Sequence, residues 1–379
     1  MAVFLQDYCV ASKDPSISRG YLSSLQSMLL AGSSKSNLAE ATRLGALASL
    51  GNKLGNPDIT RRACLSYPEL LRSFQATISR ATAISTVESL TIVVLLGLYE
   101  MISATADQFG GHRTHFIGLS AILSSRSSDD EYPPTVMVCK TRAPNLSITS
   151  LSEISIWPHD ISISCNPGAD NPTNSLDVLL LGFGPFFRQN QDLLTDTLVP
   201  PERLLQAREF AISMYEEFAS WPSTLPQEWT PKTIGYLNGT ERKEKALGSF
   251  ALPSRIDIYF DLFVCVVWNA YRKCRILLLN FISTCTSRLC DDDEFPQVSH
   301  SYSQKNLNKE VRELSEAIAA SIPFLIYQNP DALLVQSPVH GGMTSKQETL
   351  LPGSAHGGLL LMHILVVQEE FQWIFGRDR

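Results

Sequence analysis

Residues 268–277 read Trp268-Asn-Ala-Tyr-Arg-Lys-Cys-Arg-Ile-Leu277, within a longer run where Ile256, Phe260, Phe263, Val267, Ala270, Cys274, Leu277 and Phe281 recur at helical spacing. The spacing predicts one long helix over residues 254–290, ended by the run Asp291 to Glu294. The stripe demands burial, yet the decapeptide sets two arginines and an asparagine among large aromatics. A plain core helix needs no such polarity. Trp268, Asn269, Tyr271, Arg272 and Arg275 are therefore candidate pocket or interface residues. One reading lays the guanidinium stems along aromatic neighbours or pairs them with acids of adjacent helices. The other makes them the polar lining of a pocket or a subunit interface.

Outward from this helix the same period recurs. Asp14-Pro15 is a capping residue followed by a proline suited to a first helical turn, and Ile17, Tyr21, Leu25 and Met28 follow on one face. Residues 37–54 form a second helix, stopped by Gly55-Asn56-Pro57. Residues 58–80 form a third, which Pro68 is expected to kink or split. Residues 85–102 are almost wholly apolar, the mark of a buried central helix with Tyr99 and Glu100 near its end. Helices are also predicted over 111–125, 176–195, 201–220, 304–321 and 356–375. Trp221-Pro222 and Leu225 to Trp229 form a proline–aromatic break, Gly182-Phe-Gly-Pro185 reads as a turn, and 232–250 is polar. Between these helices, residues 127–175 turn rich in Ser, Thr, Pro, Asn and Asp, a poorly ordered linker or divergent insertion with room for a short strand over 147–164. The expected fold is all-α and bundle-like, with an N-terminal helical part over 1–126 and a C-terminal one over 176–379.

Composition narrows the function. A chain of 379 residues with 44% hydrophobic and 18% charged residues has an ordinary globular interior. Its formal charge of −7 argues against direct contact with DNA or RNA, because such affinity rests on neutralising phosphates. The eight cysteines include no Cys-x-x-Cys pair; four fall between 265 and 290 without zinc spacing, and Cys265 sits on an apolar run as a buried thiol. Scattered thiols fit a reducing compartment. The runs Leu90–Leu98, Leu262–Trp268 and Leu359–Val367 are far shorter than the roughly 20 residues a membrane span requires. No leader-like apolar run follows Phe4 and Leu5, so a soluble, intracellular chain is expected.

Several constellations carry the residue types of a chemical site. Asp291, Asp292, Asp293 and Glu294 could hold magnesium only with carboxylates one helical turn apart, whereas these are consecutive. Asn308, Arg312 and Glu316 have the spacing of a second such motif but place a cation in its middle. His112 and His115 stand three apart near Asp107, without a third ligand at useful spacing; His356 and His363 lie one heptad apart on an apolar run. Leu176-Asp-Val-Leu-Leu180 could dock into a groove, although such strings are common in cores. No catalytic, cofactor-binding or metal-binding residue is assigned.

Five stretches, in order, carry a resemblance: Asp14-Pro-Ser-Ile-Ser-Arg-Gly-Tyr21; Leu44 to Leu54, ending Ala48-Ser-Leu-Gly-Asn-Lys-Leu54; Leu95-Leu-Gly-Leu-Tyr-Glu100 with His115-Phe-Ile-Gly-Leu-Ser-Ala-Ile-Leu123; Phe218-Ala-Ser-Trp-Pro-Ser-Thr-Leu-Pro-Gln-Glu-Trp229; and Tyr259 through Leu277. Together they make the chain resemble the regulatory (middle homology) domain of fungal-specific transcription factors of the binuclear zinc-cluster family. The resemblance implies an all-helical regulatory domain, a nuclear location and control of genes, often those of a secondary-metabolite cluster. It implies no enzyme activity and no cofactor. The family's six-cysteine cluster is missing from this sequence, so its DNA contacts transfer to no residue here. The implied partners are proteins of transcription, including a homo- or hetero-oligomer, with no direct DNA contact and no membrane. The alternative function is a small-molecule-sensing helical domain around the decapeptide. A more remote one is an α-helical, magnesium-dependent diphosphate enzyme using the acidic run.

Overall fold

A computed structural model describes residues 1–104 apart from 11, 15 and 80–85; residues 114, 115 and 118; 172–237 apart from 195 and 197; 253–290; 302–327; and 330. The fold is all-α: among the described residues there are nine α-helices and one two-stranded sheet. The described residues up to 118 belong to one compact unit and those from 172 onward to another. The predicted central linker up to residue 171, the 356–375 helix and the 111–125 helix apart from Thr114, His115 and Gly118, which are helical, lie outside the described residues; at its far end the predicted linker gives way early, because a helix already begins at Thr173.

The first unit holds α1 (Ala2–Tyr8), α2 (Leu25–Ala31), α3 (Asn37–Leu54), α4 (Pro57–Ile78) and α5 (Val87–Ser103). Local chemistry sets each boundary. The Ser36 hydroxyl accepts from the Ala39 amide at 3.2 Å and opens α3. Gly55, left-handed at φ 56°, closes it, and its N–H returns to the carbonyls of Gly51 and Asn52. One residue later the Asn56 side chain accepts from the Asp58 and Ile59 amides, so α4 starts at once with Pro57 in its first turn. Thr86 caps α5 by accepting from the Ser89 amide at 3.1 Å. Thirteen of the 17 residues of α5 are buried, the central position its apolar run demands. Both α3 and α4 pack beside one another, and α5 lies against α3.

Two expectations are narrowed or corrected in this unit. Pro68 does not split α4, which runs unbroken through it. The proline is exposed, and the helix is held on both sides of it by the buried Ala63, Leu70 and Phe74, which outweigh the lost bond to the Cys64 carbonyl. Nor does a helix follow Asp14. The Asp14 carboxylate accepts from both the amide and the hydroxyl of Ser16, a local turn that competes with helix formation. Val10 and Tyr21 then bond to each other as an antiparallel bridge. Gly20 at φ 64° makes the return possible, because a Cβ there would stand 2.1 Å from the Val10 carbonyl oxygen. The helix appears only at Leu25, and α1 lies upstream of the predicted start. Its buried Asp7 accepts from the Lys53 ammonium at 2.5 Å, tying α1 to the end of α3.

The second unit holds α6 (Thr173–Asn190), α7 (Pro201–Ser220), β1 (Lys232–Tyr236), β2 (Arg255–Ile258), α8 (Leu262–Cys290) and α9 (Gln304–Ile326). The central helix α8 packs on α7 and on α9. Short 3-10 turns at Trp221–Thr224 and Gln227–Trp229 replace the proline–aromatic break and send Trp221 and Trp229 inward, each with at most 2% exposure. Gly182 to Pro185 is no turn; it lies inside α6, with Leu176 fully buried nearby.

The long helix also starts later than the stripe predicts. Arg255–Ile258 pairs antiparallel with Lys232–Tyr236, with Thr233 opposite Asp257. Ile256 therefore belongs to a strand packed against α9. Asp261 makes the change of structure: its carboxylate accepts from the Val264 amide at 2.9 Å and its carbonyl from the Cys265 amide. From Leu262 onward the predicted stripe holds.

Candidate functional site

On α8, residues 268, 271, 272 and 275 follow the i, i+3, i+4, i+7 line, so one helix face carries Trp268, Tyr271, Arg272 and Arg275. Asn269 lies beside them. The fold brings all five into one aromatic–guanidinium cluster with side chains from α7, α9, the 3-10 turns and the segment after β2.

Arg272 is 5% exposed. Its guanidinium donates to the Tyr259 hydroxyl (2.7 Å), the Asn269 side-chain oxygen (3.0 Å) and the Ala317 carbonyl of α9 (3.2 Å). It also lies over the Trp268 and Tyr259 rings, at 5.3 and 5.7 Å from their centroids. These acceptors are neutral, so the cation is compensated by dipoles and π-faces. Asn269 in turn donates to the Ser321 hydroxyl at 2.8 Å, a second link from α8 to α9.

Arg275 makes the other half. It donates to the Tyr271 hydroxyl at 2.9 Å, to the Tyr215 hydroxyl of α7 and to the Glu310 carboxylate of α9. Its guanidinium sits over the Tyr215 ring at 4.8 Å. One side chain thus ties three helices. Burial pushes the Tyr215 hydroxyl well above its ordinary range, and its hydrogen bond to Glu310 adds to the shift. Tyr271 and Tyr259 are also raised, in both cases chiefly by burial. All three phenols therefore stay protonated, and each accepts from an arginine.

Aromatic packing closes the cluster. Tyr271 lies 4.9 Å from Trp221 and 5.5 Å, edge on, from Trp268. The Trp268 indole N–H donates to the Trp229 carbonyl at 2.8 Å and the Trp221 N–H to Ser175 of α6 at 3.1 Å. Cys265 beside Asn269 is fully buried, and burial pushes its thiol far up. That is opposite to the shift of a nucleophilic cysteine. The hydrogen bonds and ring contacts of the five candidates run among themselves and to neighbouring elements of the same unit. The sequence reading missed the partners Tyr215, Tyr259, Glu310, Ala317 and Ser321. Trp221 and Trp229 stood in the motif that carried the resemblance, whereas nothing about Glu310 marked it out on an amphipathic α9.

In the first unit, the Tyr67 hydroxyl donates to Glu100 and lies 2.7 Å from His115 Nε2, which is 3.6 Å from the same carboxylate. Burial and the Glu100 bond push the Tyr67 hydroxyl up. His115 thus meets Tyr67 and Glu100; its predicted companions His112 and Asp107 lie outside the described residues, as do His356, His363 and Asp291 to Glu294. Among the described residues no three His, Cys, Asp or Glu side chains are grouped to hold a metal ion, and no helix is long and apolar enough to cross a membrane.

Comparison with known proteins adds one relative. The chain is 29% identical over 372 residues to the transcription factor dbaG of Emericella nidulans, an alignment covering 98% of this chain and 82% of that protein. No protein-family model matches the chain, and no solved structure matches it. The chain is thus similar to a fungal transcription factor over nearly its whole length.

Proposed function

We propose that the protein is a fungal transcription regulator, acting in the nucleus through contacts between its helical regulatory body and other proteins. The observation that carries this reading is the likeness to a transcription factor over 98% of the chain, which takes in both helical units. The all-α architecture and the net charge of −7 favour protein contacts over a direct grip on DNA. In this reading Trp268, Asn269, Tyr271, Arg272 and Arg275 are the keystone that fixes α7, α8 and α9 against one another, and they catalyse nothing. The bonds of the two guanidinium groups to Tyr259, α7 and α9 and the raised thiol of Cys265 support that role. The regulated genes are those of a secondary-metabolite cluster.

The test joins the chain to a DNA-binding module of another protein and places that module's site before a reporter gene. The fusion should enter the nucleus and change reporter output relative to the module alone. Deleting the gene should shift transcripts of a contiguous set of genes. A fusion that is folded, nuclear and without effect on the reporter sinks the proposal.

A further inference from the structure

His115 stands three residues from His112 in sequence, but its partners come from elsewhere in the fold. Its Nε2 lies 2.7 Å from the Tyr67 hydroxyl and 3.6 Å from Glu100 Oε1, and the Tyr67 hydroxyl donates to that same carboxylate oxygen. One nitrogen and two oxygens therefore converge, with every pair within 3.6 Å. They come from α4, from α5 and from the helical residues at 114 and 115, all in the first unit. Tyr67 is 33 positions from Glu100 and 48 from His115, too far apart for any local motif to show the group.

The spacing is that of ligand atoms around a metal ion. Protein nitrogen and oxygen ligands hold such an ion at about 2.0–2.2 Å, which sets neighbouring ligand atoms about 3 Å apart. Hydrogen bonds now hold the three atoms together, and a cation bound among them would take the place of the shared protons. The frame is fixed on both helices. The Tyr67 ring packs against the buried Tyr99 of α5 with centroids 4.8 Å apart, and the His115 ring meets Tyr67 edge on at 6.2 Å. The His115 and Glu100 side chains are 13% and 28% exposed, so an ion can enter from water and keep water on its outer side.

The donor set selects the ion. Cys64 bonds to Tyr99 instead of joining the group, and among the described residues no third His, Cys, Asp or Glu completes a site with His115 and Glu100. Without a thiolate the set of two oxygens and one imidazole suits a hard ion. A phenol ligates as phenolate, so the ion must be polarising enough to displace the hydroxyl proton. Ferric iron meets this demand, as it does where a tyrosine ligates haem iron. On binding, the phenol proton leaves to water and the imidazole proton moves from Nε2 to Nδ1.

We infer that Tyr67, Glu100 and His115 form a ferric-iron site, in which phenolate, carboxylate and imidazole take three positions and water the others. The site goes beyond the regulatory reading and does not depend on it.

The test titrates the full chain, stripped with chelator, with ferric nitrilotriacetate and follows the visible spectrum. A ferric phenolate has a charge-transfer band that iron held by carboxylate and imidazole alone lacks. The band should saturate at one iron per chain, and the melting temperature should rise with it, because the ion binds the folded form. Tyr67→Phe removes only the hydroxyl and should abolish the band. Glu100→Gln and His115→Gln should each weaken iron binding by at least about tenfold. The melting curves of the iron-free variants show which of the three are folded, and any one that folds decides the matter. The inference is overturned by absence of the band at saturating iron, by a band that survives Tyr67→Phe, by iron binding that neither Glu100→Gln nor His115→Gln weakens, or by zinc held more tightly than iron.

Discussion

Replacing Arg272 by Met tests whether the α8 cluster is a sealed keystone. Methionine keeps most of the stem and fills similar volume, so cavity formation is minor and the substitution isolates the guanidinium. Three acceptors lose their donor: the Tyr259 hydroxyl, the Asn269 oxygen and the Ala317 carbonyl. The carbonyl belongs to a helix interior and keeps its backbone partner, so its loss is small. The other two are left in a buried site at about 1–3 kcal/mol each. Loss of the cation from above the Trp268 and Tyr259 rings removes about 0.5–2 kcal/mol more for each ring. Relief of the desolvated charge offsets part of this. The net expectation is destabilisation by about 2–4 kcal/mol, a large part of a total near 5–15 kcal/mol. Urea unfolding followed by tryptophan fluorescence reads it directly, because Trp221, Trp229 and Trp268 surround the site. A double-mutant cycle with Tyr259→Phe should return a coupling of about 1 kcal/mol. An unfolding midpoint unchanged by Arg272→Met, at an unchanged slope, would refute the keystone argument and point to a side chain held for an exchangeable ligand.

Further outcomes are open to measurement. Pro68→Ala should stabilise the protein by about 1–2 kcal/mol, because it restores the missing bond to the Cys64 carbonyl on an exposed stretch of α4; a lower melting temperature would contradict this. Gly55→Ala should cost about 1 kcal/mol through the left-handed φ of 56°, read by the same melting assay. Burial pushes the Cys285 thiol up to about 11 and the Cys9 thiol up to about 12, and burial with Glu216 takes Tyr302 up to about 12. These groups hold their protons longer in the fold than in the unfolded chain. Stability from them is therefore complete below about pH 8.5 and lost as pH rises toward 11–12. A urea midpoint that stays level from pH 8 to 11 would count against it. Among the described thiols, Cys64 is exposed while Cys265, Cys274 and Cys285 are buried. Cys64→Ser should accordingly remove one rapidly reacting equivalent from a thiol-labelling time course of the native protein.

The helical architecture was legible where one signal dominated. The nearly continuous apolar stretch from Leu90 to Leu98, broken only by Thr91 and Gly97, admits little but a buried helix, and Pro201-Glu202 opens α7 as its chemistry requires. Reading failed where two templates fitted the same residues. Ile256 and Phe260 keep helical spacing with Phe263, but Arg255–Ile258 also alternates as a strand, and only the capping geometry of Asp261 shows where one structure yields to the other. At Asp14 the same capping chemistry misled. A side chain able to open a helix closed a local turn instead, since Tyr21 found its bridge to Val10.

The site divides along the same line. Trp268, Asn269, Tyr271, Arg272 and Arg275 share one helix, so periodicity alone groups them. Their partners come from elements 35 to 60 residues away for Arg275 and from 45 residues away for the Arg272 bond to α9. No local pattern reports such meetings, and without them a polar stripe reads equally as pocket or as girder. The partners decide what the polarity can do. Arg272 and Arg275 spend their donors on α7, on α9 and on the tyrosine that follows β2, so an internal cluster can bias partner binding only by shifting those helices.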